Sequence, residues 1–478
     1  MSFEAAADSA DALLRSLAAA LESGDAGMAL ASIRALPTDI RERFDVMAHE
    51  ADVSGRLGRH EKEIELLRRL VAREPAMASL HVSIAHALKT VGRRDEAISA
   101  AREALAIQSD YGKAWWMLAD LKNYRFDDGE LAAMQAALAK PLSDADRLHL
   151  HFALGRAFEQ RGNAEAAFAN YAAGNAIAAV GTPAATMTVG DRVDRAIRVF
   201  TPEFFTARTG FGEESSAPIF IVGLHRSGST LVEQILASHS EIEATAELPI
   251  VAQLFRSVAL DRNLPGDTPL AKLAHLDATR AKALGAQYLE RAGDYRSAGK
   301  PRFVDKMPGN WLYLGFIQLI LPNASIIDAR RHPMAAGFSN FRQNYGRGVS
   351  WAYTLDSIGR YYRDYLRLMR HFERVLPGKV HRVVHERLID DFEPQVRRLL
   401  DHVGVEFEPA CLDFHRSQRP VRSASAEQVR RPINREGVDQ WRAFEPWLGP
   451  LKEALGPALE DWDAGPGSYR DDKDRGGK

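Results

Sequence analysis

Residues 218–230 read PIFIVGLHRSGST, and this stretch decides the fold of the second half of the chain. The apolar run at residues 219–224 is typical of a buried strand, and the glycine turn that follows it leads into an amphipathic helix. Such a turn directs backbone N–H groups and a helix N-terminus at an anion. The stretch therefore predicts an anion-binding loop between a strand and a helix.

The loop nearly matches the phosphate loop of nucleotide triphosphatases, G-x-x-x-x-G-K-[ST], between Gly223 and Thr230. Ser229 stands where that pattern has its lysine, so nothing in the loop would reach the β- and γ-phosphates of ATP. A cation, Arg226, stands three residues earlier instead. We therefore expect a nucleotide with a shorter anionic group on its 5′ side, with a P-loop kinase as an alternative.

Outward from this loop, strand-like runs recur at residues 303–304, 325–329 and 380–384. Helical stretches separate them, at residues 311–321, 334–345 and 396–403. Strands that alternate with helices predict a parallel sheet covered on both faces. We predict that this α/β domain occupies residues 218–465, after a polar linker at residues 201–217, and that residues 466–478 form a disordered tail.

The first two hundred residues differ from the rest because they are rich in alanine and indicate helix after helix. Short breaks occur at Gly58, Gly92 and Gly162, and the first two are 34 residues apart. This spacing is the period of the tetratricopeptide repeat (TPR), a stacked helical hairpin. We predict a TPR-like domain at residues 1–200, which would serve as a partner surface or in self-association. An ordinary alanine-rich bundle is the alternative.

The bulk composition excludes several classes of protein. The formal net charge of -2 gives no overall field for nucleic acid, so an anion site must be built locally. Cys411 is the single cysteine, which excludes an intramolecular disulfide and fits a reducing compartment. The N-terminus does not have the pattern of a secretory signal, and no apolar run approaches the length of about 20 residues that a membrane span needs. We therefore expect a cytoplasmic protein.

The RSGST sequence of the loop resembles the sulfotransferase superfamily, in particular its tyrosylprotein-sulfotransferase-like branch and the bacterial TPR-containing sulfotransferases. The resemblance covers residues 218–447, about half of the chain. It implies an α/β P-loop-like sulfotransferase domain that uses 3′-phosphoadenosine 5′-phosphosulfate (PAPS) as co-substrate, without a metal. The residues that it assigns to the 5′-phosphosulfate are Arg226, Ser227, Gly228, Ser229 and Thr230.

PAPS also carries a 3′-phosphate, for which the family uses an arginine before x-Pro and a serine eight residues later. Arg331 and Ser339 match that pattern, and Arg330 is a near-equivalent neighbour. The tyrosylprotein branch often has a further arginine four residues after the serine. Gln343 occupies that position here, beside Arg342, so this contact is left open.

For the chemistry, the resemblance implies Glu247 as the base and Lys306 as the cation at the leaving oxygen, with Arg226 beside it. Transfer would be an in-line displacement. Glu247 would otherwise be a carboxylate at a helix start, and Lys306 a solvated charge at a strand end.

Two C-terminal segments resemble the family more loosely. The segment SASAEQVRRPINREG matches the loop that closes over the nucleotide, where Ser425 is the best candidate contact and Arg430 and Arg431 are further candidates. Trp441 is expected to pack against the closing helix. His385 replaces the tyrosine of the family's Y-E-x-L element, and a nucleotide contact and a core histidine both fit it.

The resulting hypothesis is an enzyme that moves a sulfuryl group from PAPS to an acceptor hydroxyl. A protein tyrosine, a carbohydrate and a small-molecule hydroxyl remain alternatives for the acceptor. A non-catalytic TPR scaffold is the rival from another class of protein.

Overall fold

The computed structural model of the chain describes residues 3–121, 124–180, 187–345, 349–417, 419–421 and 428–464, with side chains from residue 10. The chain forms two units, one of residues 1–174 with 418–427 and the other of residues 175–417 with 428–478. The first unit thus ends at Gly174, whereas the sequence-based boundary stands at residue 200. The predicted tail at residues 466–478 lies outside the described residues.

The described part of the first unit is built from helices and the short connections between them. Its helices are α1 Phe3–Ser23, α2 Ala26–Ala35, α3 Thr38–Arg41, α4 Phe44–Arg56, α5 His60–Arg73, α6 Ala78–Thr90, α7 Arg94–Ile107, α8 Gly112–Asp120, α9 Asp128–Leu138, α10 Asp144–Gln160 and α11 Ala164–Val180, which continues past the boundary.

Three glycines turn the chain between paired helices, as predicted. Gly58, Gly92 and Gly162 have φ angles of 74°, 84° and 74°, in the left-handed region that glycine adopts without a steric penalty. They join α4 to α5, α6 to α7, and α10 to α11. The predicted helical hairpins are therefore present at all three positions.

Small residues let the helices of each hairpin approach closely. Ala85 of α6 and Ala97 and Ala101 of α7 have no exposed surface. In the next hairpin, a Cβ atom added to Gly155 of α10 would lie 2.6 Å from the ring of Tyr171 in α11. These contacts explain why alanine and glycine recur at helical spacing in this unit.

The second unit contains a five-stranded parallel sheet with the strand order β2-β3-β1-β4-β5. Its strands are β1 Pro218–Gly223, β2 Ile242–Ala244, β3 Arg302–Asp305, β4 Ser325–Arg330 and β5 Val380–Val384. The helices around them are α12 Val189–Val199, α13 Pro202–Thr206, α14 Ser229–Ala237, α15 Ile250–Leu260, α16 Pro269–Leu273, α17 Ala278–Gly293, α18 Leu314–Ile320, α19 Pro333–Phe341, α20 Leu355–Val375, α21 His385–Asp390, α22 Phe392–Val403, α23 Gly449–Leu455 and α24 Ala458–Asp461.

The fully buried strand β1 lies at the centre of the sheet, between β3 and β4. The carboxyl ends of parallel strands share one edge, and ligands of open α/β sheets bind outside that edge where the strand order reverses. The loop after β1 and the residues after β3 and β4 therefore meet at one place. This arrangement confirms the predicted α/β class.

Several predicted limits need correction. The helix expected at residues 311–321 begins as the 3-10 helix Pro308–Tyr313 before α18, because Pro308 opens the turn. The helix expected at residues 334–345 ends at Phe341, and the helix expected from residue 396 begins at Phe392. Strand β2 and helix α13 were not predicted, since runs of three and five residues are too short to show a hydrophobic period.

Over the described residues, none of the helices combines the length and the apolar character that crossing a membrane requires.

Candidate active site

The loop between β1 and α14 has the conformation that an anion cradle requires. Gly228 lies just before α14 with φ 90°, and Arg226 has φ 65°, the one positive φ of a non-glycine residue among those described. A Cβ atom added to Gly223 would lie 2.4 Å from the carbonyl oxygen of Ala329 in β4, so glycine is needed here for close strand packing. The first N–H groups of α14 have no acceptor within the helix. The loop can therefore offer them to an anion.

The hydroxyl side chains of the loop are buried. Ser227, Ser229 and Thr230 have exposed fractions of 2%, 6% and 5%. The arginine of the loop, in contrast, is partly exposed. The hydroxyl groups and the guanidinium group are both suited to bind an anion at the carboxyl edge of the sheet.

The second predicted arginine meets the first at this loop. Arg331 follows β4, and its Nη1 donates a hydrogen bond of 3.1 Å to the carbonyl oxygen of Arg226. Its Nη2 donates to the carbonyl oxygen of Gly437. The Nε of Arg226 donates a hydrogen bond of 3.1 Å to Ser339 Oγ in α19. The structure thus brings Arg226 together with Arg331 and Ser339. The sequence had assigned them by two separate motifs.

Arg331 retains donor capacity in this arrangement. Its Nε atom is buried and has no hydrogen-bond partner among the described residues. Burial, together with the charges of Arg226 and Arg342, lowers the pKa of Arg331 to about 10, against the raising effect of Glu386. Cations that lower each other's pKa attract an anion, so the site fits a phosphate group.

The neighbouring Arg330 has a different role. Its side chain has no exposed surface, its Nη2 donates to Asp328 Oδ2 at 2.5 Å and its Nη1 donates to the carbonyl oxygen of Trp462 at 2.9 Å. Successive residues point to opposite sides of the sheet at a strand end. Arg330 is therefore part of the core, and Arg331 alone of the two arginines reaches the loop.

The two residues predicted for the chemistry contact each other. The Nζ of Lys306 donates a hydrogen bond to Glu247 Oε1. The exposed fraction of the side chain is 3% for Lys306 and 39% for Glu247. The lysine is thus fixed in the protein, while the carboxylate stays accessible to a second molecule.

Backbone and side-chain contacts hold this pair in place. The backbone N–H of Lys306 donates to the carbonyl oxygen of Ala246 at 3.2 Å. The N–H of Leu248, next to Glu247, donates to the buried carboxylate of Asp305 at 3.4 Å, and Tyr288 donates to the same carboxylate at 2.9 Å. Burial raises the pKa of Asp305 to about 7. Apart from its place before Lys306, no sequence pattern pointed to this supporting role of Asp305.

The two other glutamates near Glu247 take no part in the pair. Glu243 lies in β2, where its carboxylate accepts hydrogen bonds from Arg296 Nε at 2.7 Å and from the N–H of Ala298 at 2.8 Å. Glu241 is exposed. Glu243 therefore stabilises the edge of the sheet.

An aromatic surface that the sequence did not predict lies beside the loop. The ring of His225 lies 5.6 Å from that of Tyr345 and 6.0 Å from that of Trp351, between ring centroids. Trp351 stacks on Tyr361 at 4.0 Å with an angle of 2° between the rings. Burial lowers the pKa of His225, and among the charges that act on it are Glu247 and Lys306. The charges of Lys306 and Glu247 thus reach the aromatic surface through His225.

Residues of the C-terminal segments contact other parts of the protein, and their proposed nucleotide contacts stay predictions. Arg431 forms an ion pair of 2.7 Å with Glu436, and Arg342 donates to Gln440 at 2.6 Å. Trp441 stacks on His332, just before α19, with ring centroids 5.6 Å apart. Ser425 lies outside the described residues, and its role stays a prediction.

Among the described residues, no group of three or more His, Cys, Asp or Glu side chains is arranged to hold a metal ion.

Two family models match parts of the chain. Residues 218–409 match the sulfotransferase family, and residues 78–111 match the tetratricopeptide repeat. The second match covers α6 and α7, the hairpin around Gly92. The repeat model thus matches one hairpin of the helical part, and the sulfotransferase model matches the part of the chain that holds the parallel sheet.

Similar proteins come from bacteria and a nematode. An uncharacterized protein of Aquifex aeolicus is 30% identical over 398 residues, which are 82% of this chain and 52% of that protein. The "Putative protein-tyrosine sulfotransferase" of Caenorhabditis briggsae is 24% identical over 231 residues, 47% of this chain and 80% of that protein. The nodulation protein NoeE of Sinorhizobium fredii is 29% identical over 131 residues, 25% of this chain and 30% of that protein.

This chain spans about half the length of the Aquifex aeolicus protein. Among solved structures, the sulfotransferase domain of the Synechococcus PCC 7002 olefin synthase aligns with a TM-score of 0.35 at 23% identity, over 48% of this chain and 89% of that chain.

Proposed function

We propose that this protein, whose residues 218–409 match the sulfotransferase family, is an enzyme that transfers a sulfuryl group from PAPS to an acceptor hydroxyl. The observation that carries the proposal is the contact between Lys306 and Glu247 at the edge of the sheet where Arg226, Arg331 and Ser339 converge. Such a transfer needs a cation, an accessible base and a site that binds the two anionic groups of the donor.

The residues of the site suit the two anionic groups of PAPS. The proposed contacts of the 5′-phosphosulfate are the loop residues Arg226, Ser227, Gly228, Ser229 and Thr230. Arg331 and Ser339 are the proposed contacts of the 3′-phosphate, and the unpartnered Nε of Arg331 supports this assignment. Ser425 remains a proposed contact from the resemblance alone.

In the proposed reaction, Glu247 accepts the proton of the acceptor hydroxyl, and the acceptor oxygen forms a bond to sulfur. The bond between sulfur and the bridging oxygen breaks, and its electron pair stays on the 5′-phosphate of the departing 3′,5′-bisphosphoadenosine. Lys306 and Arg226 stabilise the negative charge on that oxygen, as fixed cations do for developing charge in a buried site.

For the acceptor, we propose a tyrosine of a peptide or protein. The rings of His225, Tyr345 and Trp351 provide an apolar surface next to Glu247, against which a phenol ring can pack. The similar nematode protein that is named for protein-tyrosine sulfation agrees with this choice. A sugar also packs on aromatic rings, so a carbohydrate is the second candidate.

The helical repeats are proposed to bind a protein partner or a second copy of this chain, because stacked helical hairpins offer an extended surface. The proposed location is the cytoplasm, since a single cysteine fits a reducing compartment.

The experiment that tests the proposed function offers PAPS with a labelled sulfuryl group together with tyrosine peptides, glycans and small phenols. Label on a tyrosine peptide supports the full proposal, and label on a glycan or a small phenol corrects the acceptor. If no acceptor is labelled and 3′,5′-bisphosphoadenosine does not bind, the proposed function is wrong.

A thermal-melt comparison separates the kinase alternative. We expect 3′,5′-bisphosphoadenosine to raise the Tm more than ATP with magnesium does, because Ser229 replaces the lysine that would hold the β- and γ-phosphates. The reverse order would favour a P-loop kinase.

A further inference from the structure

The imidazole of His385 lies directly against the phosphate loop. His385 begins α21 immediately after β5, on the far side of β4 from the loop strand. A Cβ atom added to Gly228 would lie 2.6 Å from His385 Nδ1 and 3.3 Å from its Cγ. Glycine at residue 228 is therefore required both by its φ angle of 90° and by the ring of His385.

No hydrogen bond to another described residue explains why the imidazole of His385 lies here. Its Nδ1 atom is buried and unpaired. A buried polar atom without a partner costs free energy, and such atoms in native proteins commonly face a ligand or an ion. The unpaired nitrogen stands beside the N-terminus of α14, which already favours an anion.

The charged groups around His385 are the cations Arg331 and Arg226, with Glu386 as the one acidic neighbour. Burial, together with the guanidinium charges of Arg331 and Arg226, lowers the pKa of His385 to about 3. The adjacent Glu386 accepts a hydrogen bond from the N–H of His332 at 3.1 Å, and burial raises its own pKa. The imidazole is thus neutral at pH 7 in the protein without a ligand.

We propose that His385 becomes a further cation of the nucleotide site, because binding of the nucleotide with its two anionic groups protonates the imidazole. This inference rests on the proposed function, because it takes the ligand to carry phosphate groups at both arginines. The phosphates would cancel the repulsion from Arg226 and Arg331. Opposite charges within about 4–6 Å of an ionisable group shift its pKa by about one to three each, here upward. Nucleotide binding would then take up one proton.

Isothermal titration calorimetry measures this proton directly. The wild-type protein is titrated with 3′,5′-bisphosphoadenosine at pH 6.5 in two buffers that differ in ionisation enthalpy, and the difference in heat gives the number of protons taken up. The same titration is made with His385→Asn and with His275→Asn, which changes an exposed histidine of the same unit. Since the phosphates of the nucleotide also titrate near pH 6, the comparison between proteins is decisive.

We expect the wild-type and His275→Asn proteins to take up about one proton more than His385→Asn does. The ratio of the Kd of His385→Asn to the wild-type Kd should rise as the pH falls from 7.5 to 6, by up to about tenfold per pH unit. Equal proton uptake in wild type and His385→Asn, with the nucleotide bound to both, would overturn this inference and leave the proposed function standing. Absence of binding to the wild type would overturn the proposed function itself.

Nuclear magnetic resonance of the ring carbons of histidine provides a measurement that does not depend on a variant's folding. One histidine signal of the wild type should move from its neutral to its imidazolium position when the nucleotide is added at pH 6.5. His385→Gln assigns that signal by its loss. If every histidine ring keeps its charge in the complex, the inference is wrong.

Discussion

Lys306 donates a hydrogen bond to Glu247 from a buried position, while 39% of the glutamate side chain remains exposed. The two residues come from the ends of neighbouring segments, since Lys306 follows β3 and its backbone N–H bonds to Ala246. A mobile acceptor can thus reach the carboxylate, whereas the cation is held by the protein. This asymmetry suits a base that meets the incoming hydroxyl and a cation that meets the leaving oxygen.

The substitution Glu247→Gln keeps the shape of the side chain and removes the carboxylate that we propose as the base. We expect kcat for sulfuryl transfer to fall by about 10²- to 10⁴-fold, which is the range of general-base catalysis. The Kd for 3′,5′-bisphosphoadenosine should stay within about twofold of the wild-type value. Initial rates with labelled PAPS and calorimetry measure the two quantities. Glu241→Gln changes a nearby exposed glutamate and should leave both unchanged. A Glu247→Gln protein with full activity would exclude the residue as the base.

The substitution Arg331→Ala removes the arginine that bonds to the carbonyl oxygen of Arg226. A hydrogen bond to a charged group is worth about 1.5–3 kcal/mol, so we expect the Kd for 3′,5′-bisphosphoadenosine to rise by about 10- to 100-fold. Arg360→Ala removes an exposed arginine of α20 that pairs with Asp356 and serves as the control. An unchanged Kd in Arg331→Ala would show that the 3′-phosphate is held elsewhere.

The substitution Arg330→Met tests whether Arg330 stabilises the core, in contrast to Arg331 at the nucleotide site. It leaves the carboxylate of Asp328 buried without its partner, and breaking a buried ion pair costs about 3–5 kcal/mol. We expect the free energy of unfolding in urea to fall by that amount, well beyond the effect of Arg331→Ala. Equal stability of the two variants would contradict the assignment of Arg330 to the core.

The buried Asp305 gives the protein a predictable dependence of stability on pH. Its pKa is raised to about 7, whereas an unfolded chain has an aspartate pKa of about 3.9. Between pH 4 and pH 7 the folded protein therefore binds a proton that the unfolded chain has lost, and its stability falls as the pH rises. The slope from this group reaches about 1.4 kcal/mol per pH unit.

Asp305→Asn removes that proton, so the stability of the variant relative to wild type should rise from pH 4 to pH 7 and level off above it. Loss of an acceptor for Tyr288 or Leu248 adds an offset that does not depend on pH. Urea unfolding at several pH values measures the difference. Asp356→Asn, at an exposed position, should show no such trend. A flat difference for Asp305→Asn would contradict the raised pKa.

The parts of the molecule that repeat or alternate could be predicted from the sequence. Gly58, Gly92 and Gly162 marked the turns of the hairpins because few other residues adopt a positive φ. The loop at Arg226 and the motif around Arg331 identified strand ends that the sheet then brings together. Local pattern was sufficient for these features since each is encoded within a few residues.

Other features depend on contacts between distant residues. The bond from Leu248 to Asp305 and the packing of His385 on Gly228 join segments that are 57 and 157 residues apart, which no local pattern reports. The same holds for the rings of His225 and Trp351, which meet through the fold. Strand β2 was missed because its three residues include the charged Glu243, whose partner Arg296 lies far along the chain.

Residues 418–427 belong to the helical unit, although the sequence places them deep within the other one. The N–H of Val421 donates to the carbonyl oxygen of Thr90 at 3.2 Å, at the end of α6. The polypeptide therefore passes from one unit to the other three times, after residues 174, 417 and 427. A protease that nicks the chain after Gly174 would not release the helices as an autonomous fragment, because one of their own pieces remains on the other product. Gene fusion or excision at that point would face the same obstacle.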